Sequence, residues 1–516
     1  MGFPPSAPAS QAGSCFYRTN GSVDNLRAPL AQRLLLPSRI ACPDGPPTMT
    51  MQRLAACALV TCLPAAAFAA DLRPDQVAYR ETFRELVETN TTLSAGNCTV
   101  AAEKMAARLR AAGMPERDIH LFVVPDHPKE GGLVAVLPGT DPSAKPILLL
   151  AHIDVVEAKR EDWTRDPFTL VEEDGYFYAR GVADDKAMAS IWVDTLVRFL
   201  RGGVHPKRTL KMALTCGEET NGAFNGAQYL ANNERELIDA EFALNEGAWG
   251  TLDEQGRRVM MTVQAGEKAS QNYSLEVRNP GGHSSRPVKD NAIYRLSSGL
   301  VRLSGYEFPI RLNDATREYF TRMAELKGGE TGAALRAFAK NPNDAAAAAV
   351  VTADPTWNAM VRTTCVATMM DAGHATNALP QRARANVNCR IYPDQTPEDV
   401  RLAIERVVAD PEVTVTTLET RGPMAKAPPL TPAIMGPIEQ VAAQVYPGVP
   451  VLPLFQAGAT DAQFTGAVGI PTYGIGALFF EPDMGGVHGL NERIRVVSLY
   501  DGRDYLYELV KIYSSN

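Results

Sequence analysis

The sequence predicts an α/β fold in which a largely parallel sheet, flanked by helices, is interrupted by a smaller inserted domain. In the first half, short apolar runs alternate with helical patterns, as expected for a parallel sheet that is covered on both faces. After residue 263 the pattern changes to β-α-β-β-α-β, and after residue 424 it returns to helix and strand. The sheet domain is therefore predicted to be split along the chain.

Residues 1–69 predict a leader followed by a secretory signal. Met51-Gln-Arg53 precedes the apolar segment Leu54–Phe68, and Ala67-Phe-Ala69 has the small-residue pattern of a cleavage site. A membrane anchor is the alternative, but the segment is short for a bilayer span and contains Pro64. We therefore expect a secreted or periplasmic protein with no membrane contact beyond the signal.

Charge, length and cysteine content limit the classes of function that the protein can have. The 516 residues carry a formal net charge of −8, and removal of the leader makes the chain more acidic, which argues against nucleic acid as a partner. The remaining length suits two domains. Four cysteines follow the leader, too few for a disulfide scaffold. Cys365 and Cys389 lie in two strand-like runs that could pair, so either a disulfide or two free buried thiols is open.

The first part of the sheet domain is predicted to span residues 70–263. Apolar spacing predicts its helices and strands in the following places. The helices are Gln76–Thr91, Val100–Ala112, Ala187–Leu200 and Gly226–Leu237, and the strands are Leu121–Val124, Leu133–Leu137, Ile147–Ala151, Leu210–Thr215 and Phe242–Asn245.

Residues 264–424 are predicted to form the inserted domain, with a ferredoxin-like order of elements. It carries an extra helical stretch at about Asp314–Asp354, and residues 425–516 complete the sheet domain. The elements expected in these two parts are Tyr273–Val277, helix Ala292–Leu303, Val361–Met369, Ala385–Ile391, helix Pro397–Val407, Val413–Leu418, helix Ile434–Val445, Val451–Leu454, Thr472–Ile475 and helix Leu499–Tyr513.

Acidic residues and histidines stand where the apolar strands end. His152 closes the run that begins at Ile147, which is the usual place for a functional site in an α/β sheet. Strand periodicity puts Asp154 on the same face, where its carboxylate can accept the second ring N–H of His152. The other members of this set are Asp184, Glu218, Glu219, Glu246 and His488.

Taken singly, each of these residues has an ordinary structural explanation. Asp184 precedes a helix and could be its N-cap, the glutamates could be loop acids, and His152 could be a core histidine. Taken together, carboxylates and imidazoles without cysteine are the ligands of a catalytic zinc, manganese or cobalt pair. Adjacent glutamates can divide the work, since one can ligate while the other takes a proton from water.

Short motifs follow one another in order along the chain after the leader. They are Ala151-His-Ile-Asp154, Trp163-Thr-Arg-Asp-Pro-Phe168, Tyr178-Ala-Arg-Gly-Val-Ala-Asp-Asp-Lys186, Gly217-Glu-Glu219, Asn245-Glu-Gly247, Gly281-Gly-His-Ser284, Asn377-Ala-Leu-Pro380, Gly458-Ala-Thr-Asp461 and Gly486-Val-His-Gly-Leu-Asn-Glu-Arg493. With these motifs the chain resembles the M20 family of metallopeptidases and amidohydrolases, the group of carboxypeptidases, dipeptidases and aminoacylases. The resemblance implies a zinc-peptidase-like sheet domain and a lid or dimerisation domain formed by the insertion.

The resemblance also implies a role for each ligand of a two-zinc centre. Asp184 would bridge the metals, and the peptide bond that follows it is cis in similar enzymes. His152 and Glu246 would complete one site, and Glu219 and His488 the other. Glu218 would be the general base, with Asp154 orienting His152.

Four further residues match substrate-facing positions of the family. His283 matches a histidine that polarises the scissile carbonyl, often across a dimer, although it could be a turn residue. Asn377 and Arg390 match groups that hold the substrate carboxylate, although Arg390 could be a surface residue. The loop at Gly458 departs from the family pattern at Ala459, which leaves specificity open.

The expected activity is that of a dinuclear zinc exopeptidase, with Co²⁺ or Mn²⁺ as possible metals. It would split dipeptides or remove the C-terminal residue of short peptides. The alternatives are an N-acyl amino acid amidohydrolase and a non-catalytic peptide-binding protein. The resemblance further implies a homodimer, although the stretch Asp314–Asp354 could cover the dimer edge or the cleft.

Overall fold

The computed structural model describes residues 72–220, 224–418 and 422–515. The chain separates into two units, Met1–Ala69 and Ala70–Asn516, and the described residues belong to the second. The predicted leader and signal lie outside the described residues. Within the described ranges, no helix is long and apolar enough to cross a bilayer.

The helices are α1 Pro74–Val87, α2 Cys98–Ala111, α3 Lys186–Arg201, α4 Gly226–Asn233, α5 Arg235–Ile238, α6 Ala292–Ser304, α7 Asp314–Lys327, α8 Gly329–Lys340, α9 Ala345–Ala353, α10 Pro355–Met360, α11 Pro397–Val408, α12 Pro432–Val445, α13 Ala462–Ala467 and α14 Val496–Ser515. The strands are β1 Ile119–Val124, β2 His127–Leu137, β3 Ile147–His152, β4 Val171–Glu173, β5 Tyr176–Tyr178, β6 Leu210–Thr215, β7 Phe242–Asn245, β8 Gly250–Leu252, β9 Arg258–Glu267, β10 Ala269–Arg278, β11 Gly282–His283, β12 Thr364–Ala372, β13 Ala378–Leu379, β14 Arg382–Ile391, β15 Val413–Thr417, β16 Val451–Gln456, β17 Thr472–Ile475, β18 Phe479–Phe480 and β19 Arg493–Arg495.

The larger sheet has ten strands in the order β1-β2-β6-β3-β7-β17-β9-β8-β18, with β16 paired to β9. Its central strands β6, β3, β7 and β17 run parallel, and antiparallel pairs lie towards the margins. Every residue of β3 is buried, as expected for a central strand with both faces covered. The predicted α/β fold with a largely parallel sheet flanked by helices is confirmed.

The smaller sheet has four antiparallel strands in the order β12-β14-β10-β15. Alternate residues of β14, such as Ala385 and Val387, are buried in a core shared with α6 and α11. The intervening residues, among them Asn386 and Asn388, form a polar outer face. The order of elements and the pairing are those of the predicted ferredoxin-like insertion.

A single residue, Lys268, separates β9 of the large sheet from β10 of the small one. Strand β9 reaches Glu267, so the large sheet extends past residue 263. The division into parts at residues 69, 263 and 424 stays a prediction.

The extra helical stretch packs on the large sheet. Phe320 of α7 and Phe338 of α8 share a hydrophobic cluster with Leu452 and Leu454 of β16. These helices therefore form part of the layer that covers β16.

Two disulfides join the four cysteines that follow the leader. Cys365 and Cys389 face each other in the β12–β14 pair, so the disulfide that the sequence left open is formed. Cys98, at the start of α2, is bonded to Cys216, which follows β6. The sequence did not indicate this second bond because its partners are 118 residues apart and belong to different element types.

Candidate metal centre

The predicted strand-end residues meet at one edge of the large sheet. His152 ends β3, Glu218 and Glu219 follow β6, and Glu246 follows β7. These three strands are direct neighbours and run parallel. Their carboxyl ends therefore lie side by side, which is where α/β sheets usually place ligands.

Asp184 stands between two histidines from distant parts of the chain. Its Oδ1 lies 3.1 Å from Nε2 of His152, and its Oδ2 lies 3.1 Å from Nε2 of His488. The same nitrogen of His488 lies 2.7 Å from Oε1 of Glu219. One carboxylate thus presents one oxygen to each of two histidines, the arrangement that a bridging ligand would require. The peptide bond between Asp184 and Asp185 is cis, as the resemblance implied.

Asp154 supports the cluster in a different way from the one predicted. The acceptor closest to Nδ1 of His152 is the main-chain carbonyl of Asp154, at 3.1 Å, while the carboxylate Oδ1 is 3.7 Å away. The carboxylate instead accepts hydrogen bonds from the main-chain N–H groups of Glu218, at 3.3 Å, and Glu219, at 3.1 Å. Asp154 therefore fixes the ring of His152 through its backbone and the acidic pair through its side chain.

Two glycines lie next to Glu218 and Glu246, where the chain continues beyond β6 and β7. Gly217, with φ of 101°, precedes Glu218, and a Cβ there would lie 2.0 Å from the carbonyl oxygen of Phe224. Gly247, with φ of 104°, follows Glu246, and a Cβ there would lie 2.3 Å from Oε1 of Gln264. Both positions need glycine for its backbone freedom and for space.

Electrostatics show an excess of negative charge at the cluster. Burial raises the pKa of Glu218 and of Glu246 well above the ordinary value, and the neighbouring carboxylates add to the shift. Burial also works to raise the pKa of Asp184, but hydrogen bonds from His152 and His488 outweigh it and hold that pKa low. Hydrogen bonds to Asp184 and Glu219 raise the pKa of His488 to about 10. The buried carboxylates therefore lack enough neighbouring positive charge, which a bound cation would supply.

The donor set fits a divalent metal ion. Ligand atoms of His152, Asp184 and Glu219 lie within 4.8 Å of one another. Imidazole nitrogen with carboxylate oxygen suits zinc, cobalt or manganese in a catalytic site. The residues present therefore form a possible metal-binding site.

Three of the predicted substrate-facing residues lie on the inserted domain. His283 in β11 pairs with Ala378 in β13, and the carbonyl of Asn377 accepts a hydrogen bond of 3.0 Å from the N–H of Ser284. His283 and Asn377 are therefore neighbours, and both are exposed. Arg390 lies in β14, opposite Ser270 of β10. Nδ1 of His283 lies 2.8 Å from the hydroxyl oxygen of Ser285, and the carbonyl of His283 accepts a hydrogen bond of 3.0 Å from the N–H of Arg286.

Gly458 lies in the loop between β16 and α13, and two buried acids hold this loop. Thr460 donates to Oε2 of Glu267 from both its N–H and its hydroxyl, each at 3.0 Å. Asp461 accepts hydrogen bonds from Thr215, at 2.9 Å, and from Asn225, at 2.7 Å. The sequence indicated no role for Glu267 or Asp461, although Asp461 ends the motif Gly458-Ala-Thr-Asp461. Only the fold shows that it ties this loop to the end of β6.

Comparisons with known proteins cover both the candidate metal centre and the inserted domain. The family model for peptidase family M20/M25/M40 matches residues 148–512. Human N-fatty-acyl-amino acid synthase/hydrolase PM20D1 is 30% identical over 382 residues, which cover 72% of this chain and 75% of that protein. The probable carboxypeptidase S-like 2 of Dictyostelium discoideum is 29% identical over 383 residues, 72% of each chain. The structure of the M20 family metallo-carboxypeptidase Sso-CP2 from Sulfolobus solfataricus matches with a TM-score of 0.65 at 18% identity, over 84% of this chain and 99% of that chain. At this identity the structural match supports the fold.

Proposed function

Because the chain belongs to peptidase family M20/M25/M40 and is therefore a hydrolase of amide bonds, we propose that it is a dinuclear zinc exopeptidase. Its substrates would be dipeptides and short peptides that lose their C-terminal residue. The observation that carries the proposal is the placement of Asp184, with one carboxylate oxygen towards His152 and the other towards His488.

The ligands divide into two sets around Asp184. His152 and Glu246 would hold one ion with it, and Glu219 and His488 would hold the other. Zinc is the proposed metal, and Co²⁺ or Mn²⁺ could replace it. When bound, such ions lower the pKa of a coordinated water and polarise an amide carbonyl.

Glu218 is the proposed general base. The carboxylate of Glu219 contacts His488, which assigns it to ligation and leaves Glu218 for proton transfer. Positive charge at the ligands would lower the raised pKa of Glu218, so that the carboxylate is ionised and can accept a proton from the attacking water. Glu218 then delivers this proton to the departing amine. A positioned base of this kind contributes about 10²- to 10⁴-fold to the rate.

The inserted domain would recognise the rest of the substrate. We assign the free carboxylate to Arg390 and Asn377, and stabilisation of the oxyanion to His283. On the sheet face that carries Arg390, Asn386 and Asn388 both donate to the side-chain oxygen of Asn272, at 3.1 Å. The same face also exposes Val366, opposite Asn388, and Met369, opposite Asn386, so it offers both amide and apolar groups to a substrate.

A second candidate is hydrolysis of N-acyl amino acids. The observation that favours it is the likeness to human N-fatty-acyl-amino acid synthase/hydrolase PM20D1, at 30% identity. The scissile bond and the free carboxylate are the same in both substrate classes, so the metal centre serves either. A peptide-binding protein without activity has no use for Glu218, which argues against that alternative.

Release of free amino acid from two panels tests the proposal. Purified protein with zinc is given dipeptides in one panel and N-acyl amino acids in the other, and Glu218→Gln serves as the matched variant. Dipeptide turnover that is lost in Glu218→Gln supports the peptidase. Turnover of acylated amino acids alone moves the protein to the second candidate. No turnover on either panel, with metal bound, contradicts both.

Export and dimerisation are further parts of the proposal. The signal-like segment before residue 70 and two disulfides support a secreted or periplasmic location. Strand β12 is an edge of the small sheet and exposes Val366, Met369 and Met370, by 60%, 72% and 51%. These side chains support a homodimer through that edge, and sedimentation giving a single monomer mass would contradict it.

A further inference from the structure

Glu492 is a fully buried carboxylate between the loop of His488 and strand β19. Its charge lies in the interior of the large sheet domain, beside the metal centre but outside the ligand set. Burying an ionised carboxylate carries a large desolvation penalty unless it is fully hydrogen-bonded. Glu492 therefore needs compensation, and the structure supplies it from one segment of chain.

Both oxygens of Glu492 bind the loop that carries Asp184. Oε2 accepts from Nη1 of Arg180, at 2.6 Å, and from the N–H of Gly181, at 3.0 Å. Oε1 accepts from the N–H groups of Ala183, at 2.9 Å, and Asp184 itself, at 3.2 Å. Three main-chain N–H groups of this loop thus converge on a single side chain.

Arg180 makes the return connection. Its Nη2 donates a hydrogen bond of 2.9 Å to the carbonyl of Gly489, the residue after His488. Arg180 is itself buried, with its guanidinium 5.1 Å from the centre of the Trp163 ring. The pair therefore links the loop of Asp184 to the loop of His488 in both directions.

We propose that Glu492, with Arg180, is a positioning residue that sets the distance between Asp184 and His488 and so completes the second metal site. This inference rests on the proposed dinuclear centre. Asp184 and His488 come from segments about 300 residues apart in sequence, and His488 has a left-handed backbone with φ of 61° in an irregular loop. The hydrogen bonds of Glu492 join the end of that loop to the loop of Asp184.

The geometry requires a carboxylate with two acceptor oxygens. In Glu492→Gln an amide nitrogen must face two of the four donors, because each oxygen already accepts two hydrogen bonds. We expect the affinity of the second zinc ion to fall about 10- to 100-fold, as when other supports of metal ligands are removed. The first ion shares Asp184 but has His152 and Glu246, at the ends of neighbouring strands, as its other ligands, so it should lose less affinity than the second.

The experiment measures zinc binding by competition with a chromophoric chelator, and the absorption spectrum of the cobalt-substituted protein, for wild type and variants. Asp194→Asn is the matched control, because Asp194 is also buried and ion-paired, with its Oδ2 2.7 Å from Nε of Arg503. The control should unfold more easily but bind both ions as wild type does. Arg180→Lys is a second variant that keeps the charge but cannot reach both Glu492 and Gly489.

A weakened second ion and an altered cobalt spectrum in Glu492→Gln, absent from Asp194→Asn, support the proposal. Wild-type affinity for both ions in Glu492→Gln overturns it. If Glu492→Gln does not fold, Arg180→Lys decides, since unchanged binding there overturns the proposal equally. If the wild type binds a single ion, the dinuclear centre is refuted. A lower affinity for that ion in Glu492→Gln would then support the positioning role, and an unchanged affinity would overturn it.

Discussion

Removing the disulfide between Cys98 and Cys216 should destabilise the protein more than removing the one between Cys365 and Cys389. The first closes a loop of 118 residues and the second a loop of 24. In the chain-entropy description, these loops correspond to about 5 and about 3.5 kcal/mol of stabilisation, a difference of about 1.4 kcal/mol. The double variants Cys98→Ala/Cys216→Ala and Cys365→Ala/Cys389→Ala remove each bond separately.

Alanine is the appropriate replacement because Cys98 and Cys216, whose disulfide closes the longer loop, are buried in an apolar cluster. A serine hydroxyl at these positions would add an unpaired polar group to the lost cross-link. Each variant then loses one pair of sulfur atoms, and the comparison between them tests the contribution of loop length.

Equilibrium unfolding in urea, with zinc present, measures the difference. Far-UV circular dichroism and tryptophan fluorescence should give coincident transitions, which a single free energy of unfolding requires. If the variant without Cys365–Cys389 is the less stable one, loop entropy does not govern these two bonds and the reasoning fails.

Three other perturbations have defined outcomes. Chelation of the metal should lower the unfolding temperature, and zinc at about 100 times its Kd should restore about 2.7 kcal/mol; no shift on chelation would contradict a metal held by the native state. Burial lowers the pKa of Lys268 in the folded protein to about 7, from an ordinary value of 10.5. At a pH between these two values, the unfolded chain therefore binds a proton that the folded protein does not bind. Wild type should therefore lose stability as pH falls towards 7, by about 1.4 kcal/mol per unit of pKa shift. Lys268→Met should be more stable than wild type at pH 6 in thermal unfolding, and this gain should vanish near pH 10; an equal gain at both would refute the burial cost. Asn291 caps α6 by accepting from the N–H of Ile293, at 2.9 Å, so Asn291→Ala should cost about 1 kcal/mol in urea unfolding, whereas an unchanged midpoint would deny the cap a role.

Strong local patterns account for what the sequence predicted well. The run ending at His152 is apolar at every position, so a buried central strand was the natural interpretation, and β3 is fully buried. The strand predicted at Ala385–Ile391 likewise falls within β14, whose alternate residues are buried. Once the parallel strands were placed, the rule that ligands gather at their carboxyl ends brought His152, Glu219 and Glu246 together.

Features that depend on distant contacts or on very short elements were not accessible in this way. Strands β4, β5 and β19 have three residues each, too few for any periodic pattern. The single helix expected at Gly226–Leu237 is divided at Glu234, whose non-helical backbone caps one helix and begins the next. The spacing of His152 and Asp154 identified the right residues but not that a carbonyl, rather than the carboxylate, contacts the ring.

The two halves of the proposed metal centre differ in the same way, since one is built on neighbouring strands and the other depends on distant contacts. His152 and the residues around Glu246 lie at the ends of β3 and β7, which are paired strands of a rigid sheet. His488 instead comes from a loop beyond the inserted domain, is 53% exposed in its side chain, and reaches Asp184 only after the chain has returned. If two ions bind as proposed, the half built on paired strands is preformed by the sheet, whereas the other half depends on contacts between distant segments. The buried bonds from Glu492 to the loop of Asp184 meet that need, which explains why a costly interior charge lies there.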